Sequence, residues 1–256
     1  MSRQLHLLIG LSLACLPLNA CREADPLAAL HAGEQGRVVR VIDGDALVLD
    51  TGQSVRLIGI EAPARPYKDR DGDAYHKESK RMLEDIALGR TVQLRYAGLT
   101  RDRYDRALAH VQTTDELGPP YWVNLEMIRR GGARVRVYPD TASANAPLLV
   151  EEAEARAARR GLWSLGVYTI PSAAHLPPAF TRFQLVHATL DARISSDAPG
   201  ASCAWSLKSA ALTVTIKRDA AQLCQADAGA HILARGYVKD GQMEISHPLN
   251  LQLMSD

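Results

Sequence analysis

Three short stretches between residues 43 and 109 gather side chains able to act on an oxyanion or a hard cation. Asp43-Gly44-Asp45 sets two carboxylates around a glycine that permits a tight turn, with Asp45 at the mouth of the next strand. In Arg56-Leu57-Ile58-Gly59-Ile60-Glu61-Ala62-Pro63 a strand carries a guanidinium and delivers a carboxylate at its end. Thr100-Arg101-Asp102-Arg103-Tyr104-Asp105-Arg106-Ala107-Leu108-Ala109 is a charged loop running straight into a strand. Guanidiniums offer paired donors to oxyanions, and carboxylates bind hard cations or protons. Taken singly, each stretch also reads as ordinary structure: a hairpin turn, a solvated strand face and a surface loop.

The elements that must position them are mostly strands. Alternation and turn residues predict strands over 36–42, 46–50 and 54–60, then a helix over 74–88 with Met82, Leu83, Ile86 and Ala87 on one side and Gly89 to end it. Strands follow over 91–96 and 107–112, a short helix over 123–130, a strand over 133–137 and a helix over 146–160. These strands, with three interspersed helices, suggest a small barrel of the OB type. Three prolines in Pro171-Ser172-Ala173-Ala174-His175-Leu176-Pro177-Pro178 mark a linker over 171–179, which ends a first domain over 36–170. Beyond it, strands over 183–192, 211–217, 230–238 and 243–246, a helical piece over 219–224 and a Lys239-Asp240-Gly241 turn predict a second small β-barrel over 180–256, an OB fold being one form open to it. The fold class is β-rich α+β. The composition, 46% hydrophobic and 23% charged over 256 residues, excludes collagenous, coiled-coil and mostly disordered chains. The net charge of +1 excludes a global basic field, so any nucleic-acid site is local.

The apolar run over 5–18 is too short to span a bilayer and reads as the h-region of a signal peptide over 1–20. It ends in Leu18-Asn19-Ala20-Cys21, which resembles the lipobox of bacterial lipoproteins. That resemblance implies acylation of Cys21, an anchor in the cell envelope facing the periplasm, and a tether over 21–35. Cleavage by the ordinary peptidase, with Cys21 an incidental thiol, is the alternative. If Cys15 leaves with the signal and Cys21 carries lipid, Cys203 and Cys224 remain as a pair for a disulfide; neither has a CxxC or nearby His partner for zinc.

Asp-Gly-Asp, then Arg-Leu-x-Gly-Ile-acid-x-Pro, then Arg-Asp-x-Tyr-x-Arg-x-Leu-Ala, in that order and closed by Arg160-Gly161-Leu162-Trp163, resembles the thermonuclease family of staphylococcal-nuclease-like OB folds over 36–163. The resemblance implies calcium-dependent hydrolysis of phosphodiester bonds in DNA or RNA. It places the family's two catalytic arginines on Arg56 and Arg106, and its calcium ligands on Asp45, Glu61 and the backbone oxygen of Ala62. Glu61 is one methylene longer than the usual aspartate, and Ala62 stands where the family has threonine. The general-base glutamate aligns with Ala64, which cannot accept a proton, a loss worth ~10²–10⁴ in rate. The loop Tyr67-Lys68-Asp69-Arg70-Asp71-Gly72-Asp73 offers substitute carboxylates, although a solvated turn with Asp73 capping the helix is the plainer reading, and Glu78 is a further candidate. Its alternating aspartates do not make an EF-hand, because Ala74 and Lys80 occupy the glycine and glutamate positions. His76, His110, His187, His231 and His247 lack ligand spacing. Tyr104, Tyr121, Trp122 and Tyr138 are candidate stacking surfaces. Three classes of function stay open: an envelope nuclease with an altered site, a catalytically silent OB-fold lipoprotein that binds nucleic acid or another ligand, and a structural lipoprotein.

Overall fold

The computed structural model describes residues 25–115, 120–177 and 181–254. The segment expected to be a signal peptide, over 1–20, and Cys21 lie outside them. The first unit comprises β1 (His31–Asp43), β2 (Ala46–Leu49), β3 (Ser54–Leu57), β4 (Ile60–Glu61), α1 (His76–Ala87), β5 (Thr91–Tyr96), β6 (Ala107–Thr113), α2 (Val123–Arg129), β7 (Arg134–Val135) and α3 (Asn145–Ala157). Its sheet closes on itself in the order β1-β2-β3-β6-β5, with β3 and β6 parallel. Alternation dictates the closure: Val55 and Leu57 of β3 and Val92 and Leu94 of β5 are buried, while their neighbours along each strand face outward. Leu83 and Ile86 of α1 and Met127 and Ile128 of α2 join the same core.

Several boundaries differ from expectation. β1 starts at His31, and its early residues pair with β5 (His31↔Tyr96, Gln35↔Gln93), while Leu27 is buried in the core. The described part of the stretch expected as a tether over 21–35 is therefore folded; polar His31, Glu34 and Gln35 hide a pairing that only the closed barrel supplies. Helix α1 begins at His76, its N-cap Tyr75 has a left-handed backbone, and no side chain caps it. Asp73 does not cap the helix as expected: its Oδ2 accepts from the Ala64 amide at 3.0 Å, and its own amide donates to the Ala64 carbonyl at 2.8 Å.

The second unit contains β8 (Arg182–Ile194), β9 (Ala201–Leu207), β10 (Thr213–Lys217), β11 (His231–Lys239), β12 (Gln242–Ile245) and β13 (Leu251–Leu253). Strands β8-β9-β10-β12-β11 close a second ring, again with the third and fifth strands in chain order parallel, and β13 pairs antiparallel with β11. The strand order of the first barrel is thus repeated. Strand β9 was absent from the expected pattern, although Cys203, Trp205 and Leu207 alternate inward along it. The 219–224 piece is a 3₁₀ helix (Arg218–Gln225), pinned to β9 by the Cys203–Cys224 disulfide. The turn before β12 has Asp240 and Gly241 at φ 50° and 70°, the left-handed pair a two-residue hairpin needs. The described part of the proline-rich stretch packs on the second barrel: Ala173 is buried in the second core and Ser172 bridges to His187.

Candidate active site

Arg56 lies on the outer face of β3, between Ala46 of β2 and Leu108 of β6, because Val55 and Leu57 claim the inward positions. Asp45 follows the turn that ends β1, where its amide donates to Asp43 Oδ1 at 3.3 Å. Gly44 makes this turn possible: a Cβ there would meet Ser79 Oγ of α1 and the Ala62 side chain, both far inside contact distance. The helix thus packs directly onto the loop that aims Asp45. Gly59, at φ 76° between β3 and β4, swings the chain so that Glu61 returns beside Arg56.

The Arg56 guanidinium then joins two carboxylates. Its Nη1 pairs with Asp45 Oδ2, and its Nη2 donates to Glu61 Oε2 at 3.0 Å. Asp45 Oδ2 also accepts from the Ala62 amide at 2.7 Å, so the carboxylate is fixed by charge and backbone together. Arg106 is steered separately, by Asp102, whose Oδ2 accepts from Arg106 Nε at 2.7 Å and whose Oδ1 accepts from the Arg106 amide at 3.0 Å. Both arginines line one cavity of about 260 Å³, bounded also by Tyr138, Asp140 and Thr141.

Electrostatics follow from burial. Asp45 is only 7% exposed, and burial drives its pKa upward against the pull of Arg56, with Asp43 adding negative charge. Burial alone would lower Arg56; the facing Asp45 and Glu61 more than reverse it, so its pKa rises and it stays charged. Asp102 is held below its ordinary value, since the bonds from Arg106 outweigh its burial.

Asp45, Arg56, Glu61, Ala62 and Arg106 therefore come together around one barrel mouth. Cys203 and Cys224 are joined elsewhere. Among the loop acids, Asp71 and Asp73 are brought beside Glu61 and Ala64. Sequence reasoning passed over Arg136, whose Nη1 sits 2.7 Å from Glu61 Oε1 while its guanidinium stacks on Tyr138 (4.8 Å) and Phe183 (5.2 Å). The alternation Arg134-Val135-Arg136-Val137 signals two guanidiniums on one strand face, but only the β4–β7 pairing (Glu61↔Arg134) brings them to Glu61. His110 is a core histidine, between Trp122 and the Ser143 carbonyl.

No group of three or more His, Cys, Asp or Glu side chains among the described residues has metal-holding spacing. The hard-oxygen donors at the site are two carboxylates and backbone carbonyls, a type of set that suits calcium. One observation favours such a fit: the buried Asp45 carboxylate takes its bonds from Arg56 and the Ala62 amide on Oδ2, and Oδ1 has neither of these partners.

A closed OB-type barrel with two guanidiniums and two carboxylates at its mouth defines a class of phosphate-directed proteins. Residues 54–165 match the family described as staphylococcal nuclease homologue. Over 138 residues the chain is 39% identical to an uncharacterized endonuclease of Escherichia coli O157:H7, covering 53% of this chain and 80% of that protein. It is 32% identical over 133 residues to the thermonuclease of Staphylococcus intermedius (51% and 75% covered) and 28% over 138 residues to that of Staphylococcus hyicus (52% and 79%). The chain belongs to the staphylococcal nuclease homologue family. Its second barrel lies outside the matched residues.

Proposed function

We propose that the protein is a calcium-dependent phosphodiester hydrolase acting on DNA or RNA, with a site weakened at Ala64, exported and held at the envelope through Cys21. The observation that carries the reading is the convergence of Arg56 and Arg106 on one cavity, with Asp45 and Glu61 both bonded to Arg56. Planar guanidiniums bind two phosphate oxygens at once and stabilise the charge that builds at phosphorus. Asp102 holds Arg106 through Nε and so leaves its Nη atoms to a phosphate, whereas Arg56 has both Nη atoms on Asp45 and Glu61 and must share them when a phosphate arrives. Asp45, Glu61 and the Ala62 carbonyl are the donors that would hold calcium, and the bound ion supplies positive charge and water activation.

A second reading, a barrel that binds nucleic acid without cutting it, is favoured by one feature. Ala64 presents a methyl where the family's base stands, and the nearby Asp73 carboxylate is engaged by the Ala64 amide.

Hydrolysis of single-stranded DNA with calcium, and again with chelator, separates the two. The expected outcome is slow cleavage that chelator stops and that Arg56→Ala lowers by ~10²-fold or more. Binding without cleavage supports the second reading instead.

A further inference from the structure

The second barrel meets the first along β7. Arg235 of β11, 3% exposed, places Nη2 2.8 Å from Glu152 Oε2 and donates through Nη1 to the Val135 carbonyl at 3.1 Å. Glu152 Oε1 accepts from the Val135 amide at 2.7 Å. Beside this anchor lies a cleft of about 590 Å³ that opens at Glu61 and Ala64 and runs onto the second barrel. Arg134, Arg136 and Tyr168 line it from one side, and Arg182, Phe183 and Tyr237 from the other.

Arg134 is the feature that calls for a ligand. Arg136 and Arg235 have carboxylate partners, whereas the Arg134 guanidinium has no carboxylate within ion-pair distance and donates no hydrogen bond among the described residues, with Glu61, Glu152 and Asp73 acting on it only from farther away. Its guanidinium is held against the rings of Tyr168 (5.4 Å) and Phe183 (5.0 Å), which orient it without neutralising it. Burial lowers its pKa, in keeping with a cation short of counter-charge. A phosphate supplies that charge and matches the planar fork. Tyr237, 50% exposed on the opposite rim, offers a ring face to an unpaired base.

We propose that this cleft is a second nucleotide-binding stretch, in which a single strand leaving the Arg56–Arg106 site runs onto the second barrel, with a phosphate on Arg134 and a base against Tyr237. It rests on the nuclease reading. A single strand is favoured because aromatic walls stack only on bases that are free of a duplex.

The test compares wild type with Arg134→Gln and Tyr237→Ala. Affinity for a fluorescent oligothymidylate of about a dozen nucleotides is measured in chelator against salt, and calcium-dependent cleavage of that oligomer is compared with cleavage of a dinucleotide. Each variant is expected to lower the oligomer-to-dinucleotide cleavage ratio ~10-fold, and Arg134→Gln to flatten the slope of log affinity against log salt by about 0.7, the loss of one single-strand phosphate contact. Unchanged ratio and slope in folded variants overturn the proposal alone. A wild type that neither binds nor cleaves either substrate overturns the nuclease reading and this proposal with it. Should Arg134→Gln not fold, Tyr237→Ala, altering a half-exposed ring, carries the comparison.

Discussion

At Ala64 the loop after β4 carries a methyl beside Glu61, on the wall of the cleft that Asp73 also lines. Asp73 is the loop acid bonded to Ala64, and because its Oδ2 accepts the Ala64 amide its carboxylate is tied to the loop's backbone. Restoring a carboxylate at the position itself is therefore the sharper change. Ala64→Glu is expected to raise calcium-dependent hydrolysis of single-stranded DNA ~10²-fold, and Arg56→Ala in that background to remove the gain. Initial rates decide it: a folded Ala64→Glu protein no faster than wild type means that no water or phosphate stands within reach of the new side chain. The arginines are not equivalent. Arg56 is locked between two carboxylates and partly buried, whereas Arg106 has Asp102 alone and packs its guanidinium 5.9 Å from the exposed Tyr104 ring.

Elements place these residues through close backbone approach. α1 lies against the Asp43–Asp45 turn because Gly44 leaves room for Ser79, whose hydroxyl donates to the Gly132 carbonyl at 2.7 Å. On the far side, α2 is tied to β6 through Asn124, which accepts from the Val111 amide and donates to the Ile58 carbonyl just before Gly59. His110 of β6 belongs to the same seam. Its Nε2 faces the Ser143 carbonyl at 3.2 Å, and its Nδ1 accepts from Trp122 Nε1 at 3.3 Å, a pairing only the neutral ring can make. Burial pushes its pKa down to about 4 from 6.5. The unfolded chain takes up this proton first as pH falls, so the histidine's contribution is complete above pH 6.5 and declines towards pH 4, by about 3 kcal/mol in all. Urea midpoints at neutral pH and near pH 4 should draw closer in His110→Gln than in wild type. An equal acid-dependent drop in both proteins refutes the assignment to His110.

At the scale of the molecule, two barrels with the same strand ring are joined through Arg235, Glu152 and the backbone of β7, the strand whose Arg134 pairs with Glu61 in register. Losing one partner of the buried Arg235–Glu152 pair would strand the other charge away from water. The Cys203–Cys224 bridge, with a sequence separation of 21, secures the second barrel and contributes about 3 kcal/mol in the chain-entropy view. Among the described residues no helix is long and apolar enough to cross a membrane. Cys21→Ser is expected to move the protein from the membrane to the soluble fraction, because each acyl CH₂ contributes ~0.8 kcal/mol of membrane affinity. Unaltered membrane fractionation of the Ser variant rules out acylation at Cys21.

From the residues alone came the barrel of the first unit, through alternation in 46–50 and 54–60 and the helix pattern before Gly89, and the site residues Asp45, Arg56, Glu61 and Arg106 through their order. These are legible because side-chain periodicity and local spacing are properties of neighbours in the chain. The early start of β1, the strand β9 and the place of Arg136 were not, since each depends on a partner far away: β5 for His31, β10 and β8 for Cys203 to Leu207, and β4 for the arginines of β7. The cleft beside Arg134 belongs wholly to this second kind. Nothing in Arg134-Val135-Arg136 separates a solvated face from a phosphate site until the second barrel closes over it with Phe183 and Tyr237, because an ion's partners are set by distance in space and not by position along the chain.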